Sequence, residues 1–209
     1  HALEGRGSAV EDNALVRCGE GPRSREIRII DDPRRGRIPW RRDDEGARAR
    51  AVALVADGRL AGSLHNRTTA QVAGVVRTGH GRRSSYLAPA LPRMGCTFIA
   101  AGDHSPASLV EGTGDGLYIR RMEAASIDLH SGEAMFRVSD ADRIEGGRIT
   151  ASLEPFILFV TLAETLATLG HPGNDLQFDT CFGTCLKEHQ PLAVSVGAPT
   201  VRLGVATVL

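Results

Sequence analysis

The dipeptide Asp57-Gly58 stands between two apolar, alternating arms in "AVALVADGRLAGSLH", and this stretch constrains the fold more than any other. Asp-Gly readily supplies the pair of positive-φ residues that a two-residue hairpin turn needs, so the segment predicts two antiparallel strands. "FRVSDADRIEGGRITASL" repeats the device around Gly146-Gly147. "EIRIIDD" alternates and stops in an acidic turn. "PLAVSVGAPTVRLGVATVL" alternates again, with Pro199 marking an edge or a bulge. Helices are expected at "NRTTAQVAG", at "SPASLVEG" with Ser105 as N-cap and Pro106 opening the first turn, and from about Glu154 to Leu169. The chain therefore reads as one β-rich domain with a few covering helices and no internal repeat.

Composition narrows the function. The 25 basic and 25 acidic residues cancel, which removes the whole-chain electrostatic footprint of a nucleic-acid binder. Cysteines at 18, 96, 181 and 185 have neither the density nor the spacing of a disulfide framework, and a reducing, cytoplasmic compartment is expected. "PFILFVTLAETLATLG" is too short to cross a bilayer and is interrupted by Glu164, so no membrane association is expected.

Chemistry-bearing residues concentrate in loops. "PWRRDDEG", "TGHGRRSSY" and "LPRMG" collect Arg, Asp, Gly and Pro where binding groups are often mounted. No two of the seven histidines (1, 65, 80, 104, 130, 171, 189) have the i, i+4 spacing of a helical metal pair. "GNDLQFDTCFGTCLKEHQ" places Cys181 and Cys185 four apart in an expected Gly-containing loop, with His189 four further on. That spacing is compatible with a metal half-site, a disulfide or two unrelated small side chains.

Taken in order, "HALEGRGSA", "IIDDP", "RRDDEGARARAVALVADGRLAGSLHNRTTAQVAG", "TGHGRRSSYLAPALPRMGCTFIAAGD", "GDGLYI", "SGEAMFRVSDADRIEGGRIT", "GNDLQFDTCFGTC" and "VGAPTVRL" span almost the whole chain. In that order they resemble the TldD/PmbA metallopeptidase family, also called modulators of DNA gyrase. The resemblance implies an α+β, β-rich C-terminal domain with mixed or antiparallel sheets. On this reading residues 1–209 are the C-terminal metallopeptidase domain, cut within the family's HExxxH motif, with the N-terminal domain absent. His1 then matches the second histidine of that motif, which explains a chain opening on histidine; the first histidine and the glutamate would lie upstream. Leu3-Glu4-Gly5, Gly81-Arg82-Arg83 and Gly183-Thr184-Cys185 match the metal-binding branch, the TldD-type catalytic subunit.

The resemblance implies Zn2+ as cofactor, with His1 and Cys185 as ligands and Glu4 either supporting His1 or solvated. Two imidazoles and a distant thiolate would leave zinc an open position, as hydrolysis requires. Arg82, Arg83 and Tyr86 are candidate substrate-binding residues, for a peptide carboxylate or backbone carbonyl; the other reading is that the arginines clamp their loop to nearby acids. Cys181 has no counterpart in the family pattern, and His189 is kept as a minor candidate ligand. The implied activity is hydrolysis of unfolded peptides by a dimer, either a homodimer or a heterodimer with a metal-free homologue. With the upstream histidine and glutamate missing, the segment alone is expected to be inactive. The alternative is a non-catalytic partner or degenerate interaction module of the same family. Three stretches depart from the pattern: Arg6 after "LEG", "RRMEAAS" after "GLYI", and "LKEHQ" after the cysteine.

Overall fold

The structure, a computed structural model, describes residues 10–11, 14–15, 26–57, 59–128, 130–181, 183–204 and 207–208. In chain order the first elements are β1 (Val10–Glu11), β2 (Ala14–Leu15), β3 (Ile29–Asp31), β4 (Val52–Ala56), β5 (Arg59–Leu60), α1 (Arg67–Ala73), β6 (Gly81–Arg82), β7 (Leu91–Pro92), β8 (Cys96–Ile99) and α2 (Pro106–Glu111). They are followed by β9 (Gly116–Ile127), β10 (Glu133–Glu145), β11 (Arg148–Ser152), β12 (Phe156–Thr161), α3 (Leu162–Thr168), β13 (Gln177–Phe178), β14 (Gly183–Lys187), β15 (Gln190–Ala198) and β16 (Thr207–Val208).

Both expected hairpins form. Val55 pairs with Leu60 and Ala56 with Arg59 across the Asp57 turn, and Asp57 has the required positive φ of 52°. Glu145 pairs with Arg148 across Gly146 and Gly147, at φ 54° and 76°. The first two helices start as their caps dictate. Asn66 accepts from the Thr69 amide while Thr69 reaches back to the Asn66 amide, and Gly74 closes α1 in the left-handed conformation. Ser105 accepts from the Ser108 amide ahead of Pro106; each such cap contributes about 1 kcal/mol.

One element is corrected. The helix expected over Glu154–Leu169 is a strand followed by a helix, β12 and then α3. "FILFVT" is a continuous apolar run rich in aromatic and β-branched residues, which periodicity alone cannot assign. It pairs with β10 from Phe156 to Thr161 and with β16, and these partners decide its conformation. Thr161 then caps α3 through the Glu164 amide.

Two larger sheets organise the described residues. In one, β10 pairs with β9 along one edge and with β12 and β11 on the other. Val138, Ala141 and Leu158 form its buried cluster, packed by Ile119, Phe136, Leu153, Phe156 and Val160. The other sheet runs β13-β15-β8-β3-β4-β5, with β14 added on β15. Its β15–β8 pair is parallel and the rest antiparallel, so the sheet is mixed. Phe98 meets Phe178 edge to face at 5.4 Å on this sheet. The fold is thus the β-rich α+β arrangement that the sequence implies.

Candidate active site around Cys185

Cys185 lies on strand β14, not in the loop that "GTC" suggests, and pairs with Leu192 of β15. The two strands turn through Glu188 and His189 at φ 47° and 58°. This is a two-residue hairpin without the Asn-Gly or Asp-Gly that would announce it. The cysteine is half-buried, and both it and the exposed Cys181 are free thiols.

Arg93, just past β7, reaches across to this hairpin. It is 1% exposed. Its Nε donates to Cys185 Sγ at 3.4 Å, and its Nη2 donates to the carbonyls of Cys185 and Gln190, the latter at 2.8 Å. Its Nη1 is buried and has no hydrogen-bond partner among the described residues. That nitrogen is enclosed by protein, so the guanidinium is committed to the hairpin it crosses.

Gln190 joins the hairpin to the loop of the expected substrate-binding residues. Its Oε1 accepts from the Ser84 amide at 3.0 Å and its Nε2 donates to the Pro89 carbonyl at 3.1 Å. Arg82 and Arg83 in that loop are held by Asp44. Arg82 Nε lies 3.1 Å from Asp44 Oδ2, the Arg83 amide donates to the same oxygen at 2.8 Å, and Arg83 Nη2 donates to the Asp44 carbonyl. The Arg82 guanidinium also stacks 4.2 Å from the Trp40 ring centroid. Tyr86 is 85% exposed beside Leu87.

Beneath the loop is a buried polar lattice. Asp31 and His80 are both fully buried, with Oδ1 and Nε2 3.0 Å apart. Asp31 also accepts from the Gly95 amide and the Thr97 hydroxyl. The His80 carbonyl accepts from the Arg93 amide at 2.9 Å. Asp43 accepts from the amides of Glu45, Ala47 and Gly81. Leaving such buried groups unpaired is costly, so the satisfied lattice fixes the Arg82–Tyr86 loop and Arg93 relative to one another.

Thiol chemistry separates the cysteines. Burial, with Asp31 and Asp32 nearby, pushes the Cys96 thiol up to about 11, which makes it an inert core group. Cys181 sits in a turn where its amide donates to Asp179. Cys185 differs from both in having a guanidinium N–H directed at its sulfur. His189 is exposed at the hairpin tip, two residues beyond the last strand pair position of β14. His1 and Glu4, the other groups expected at the metal, and Cys18 lie outside the described residues. Sequence reading missed Arg93, whose only signal was its place in the loop "LPRMG", and Gln190, which opens β15 at the end of "LKEHQ".

Among the described residues no helix is long and apolar enough to cross a membrane. Residues 1–209 match the PmbA/TldA metallopeptidase C-terminal domain. The chain is 32% identical over 214 residues to the metalloprotease TldD homolog of Haemophilus influenzae, covering 100% of this chain and 44% of that protein. It is 26% identical over 178 residues to the zinc metalloprotease TldD homolog of Saccharolobus solfataricus, covering 85% of this chain and 39% of that protein. The crystal structure of TldE from Thermococcus kodakarensis shares the fold, with a TM-score of 0.68 at 20% identity, covering 88% of this chain and 39% of that one. The chain thus spans less than half the length of these relatives.

Proposed function

From the premise that this chain belongs to the PmbA/TldD metallopeptidase family through its C-terminal domain, we propose that it carries the thiolate side of a TldD-type zinc peptidase centre. Cys185 and His1 would hold the zinc, and the remaining ligand and the general base, the first histidine and the glutamate of HExxxH, would come from outside these 209 residues. Bound zinc would supply a Lewis acid and a water of lowered pKa for amide hydrolysis. The observation that carries the reading is the Arg93 Nε–Cys185 Sγ contact on a hairpin tied by Gln190 to the Arg82–Tyr86 loop.

Each group then has a task. Arg93 donates to the sulfur, spreads its negative charge and fixes its direction. Asp44 holds Arg82 and Arg83 at the rim, and exposed Tyr86 extends the rim for peptide contact. Strand β14 pairs with β15 alone among the described strands. Its outer edge, beside Cys185, suits addition of an extended substrate strand, which favours unfolded peptides of many sequences. Free described thiols accord with a cytoplasmic setting. The partner in this reading is a second copy or a metal-free homologue, and neither nucleic acid nor membrane takes part.

Cleavage of an unstructured peptide by the intact protein tests the reading. Tyr86→Ala should raise KM with little change in kcat, because it removes binding shared by ground and transition states. Hydrolysis that is indifferent to zinc and to Cys185 would refute it.

A further inference from the structure

A second constellation lies apart from Cys185. Glu26 precedes β3, His104 stands between β8 and α2, and His171 lies between α3 and β13. Three of their atoms converge: His104 Nε2 is 3.6 Å from Glu26 Oε2, His171 Nδ1 is 3.5 Å from the same oxygen, and the two nitrogens are 3.4 Å apart. Two imidazole nitrogens and one carboxylate oxygen at these spacings outline one face of a tetrahedron. Zinc with bonds of about 2.0–2.1 Å sets its ligand atoms about 3.4 Å from one another. The histidine rings meet edge on, with centroids 5.1 Å apart at 82°, so their nitrogens converge where stacked rings would part them.

The backbone holds the three segments in place before any ion arrives. The Ala100 amide donates to the Arg28 carbonyl, joining the Glu26 segment to the one leading to His104. The Gly102 amide donates to the Gly173 carbonyl, and the Asn174 amide to the His104 carbonyl, joining that segment to the His171 loop. His171 has a positive φ of 49° although it directly precedes Pro172, where extended backbone is preferred. Non-glycine residues in that region gather at ligand clamps.

We propose that Glu26, His104 and His171 form a second zinc site, distinct from the Cys185 centre, that staples these three segments and leaves a fourth coordination position to solvent. Side-chain exposures of 42%, 40% and 18% give the ion an entry path and room for a water. The nitrogen-rich set with one carboxylate suits zinc and disfavours calcium or magnesium, which take oxygen cages.

The test uses zinc and cobalt alone as probes on the full chain. The Cys185→Ser variant should retain one equivalent of zinc after dialysis. Adding Glu26→Gln or His104→Asn should weaken that zinc at least about tenfold, as even loss of a supporting group does. Both residues are more than one-third exposed, so circular dichroism should show the fold intact. Cobalt at this site should give d–d bands without the sulfur-to-metal charge-transfer band that a Cys185 centre produces. Should a variant fail to fold, the ring-proton shifts of His104 and His171 on titrating zinc into Cys185→Ser decide the matter. Absence of zinc from Cys185→Ser, or zinc indifferent to Glu26 and His104, overturns the proposal. Either result leaves the Cys185 reading to be judged by its own cobalt–sulfur band.

Discussion

Arg93 Nε lies 3.4 Å from Cys185 Sγ, across 92 residues of sequence. The same guanidinium serves the Cys185 and Gln190 carbonyls, so one buried cation fixes both strands of the β14–β15 hairpin. Arg93→Met should leave two carbonyls short of their donor and cost about 3 kcal/mol. Urea denaturation measures this, and a loss below the noise would remove Arg93 from its anchoring role. Arg93→Lys should recover only part, because an ammonium cannot reproduce the planar fork.

The thiols should differ in reactivity. Cys181 is exposed, while Cys96 is fully buried with its thiol pushed up to about 11. Iodoacetamide followed by peptide mass mapping should modify Cys181 first and Cys96 only after unfolding. Rapid modification of Cys96 in the folded protein would contradict the placement of β8 in the core.

His65 gives a pH signature. It is 7% exposed. Burial holds its pKa below 6.5; bonding at Thr69 opposes this and His80 adds to it. The folded state therefore binds a proton there less readily than the unfolded chain. Its contribution is fully present above the unfolded pKa and is lost as pH falls through the folded value. Denaturation midpoints across roughly pH 5 to 8 should fall toward acid, and His65→Gln should flatten that slope. An unchanged slope in the variant would assign the acid sensitivity to other groups.

Local chemistry made much of the fold legible. Asp57-Gly58, Gly146-Gly147, Asn66 with Gly74, and Ser105-Pro106 each state a turn or cap within a few residues, and each forms. β12 was hidden because its strand character comes from β10 and β16, not from its own period. The β14–β15 turn was hidden because Glu188 and His189 are uncommon at positive φ. Cys185 was legible through "GTC". Its neighbour Arg93 was not, nor was the meeting of Glu26, His104 and His171, since those contacts join segments distant in sequence. Arg82 and Arg83 were legible as a pair with two readings; both are clamped by Asp44, in a loop that Gln190 ties to the hairpin of Cys185.

The most direct measurement compares Cys185→Ser with Cys181→Ser in the intact protein, reading the sulfur-to-cobalt charge-transfer band and cleavage of an unstructured peptide. A hydroxyl is a far poorer ligand than a thiolate, so Cys185→Ser should lose the band and nearly all activity. Cys181→Ser should keep both, because Cys181 lies exposed in a turn ahead of β14. Loss of the band and activity in Cys181→Ser, with Cys185→Ser unaffected, would contradict the account and move the metal ligand four residues up the chain.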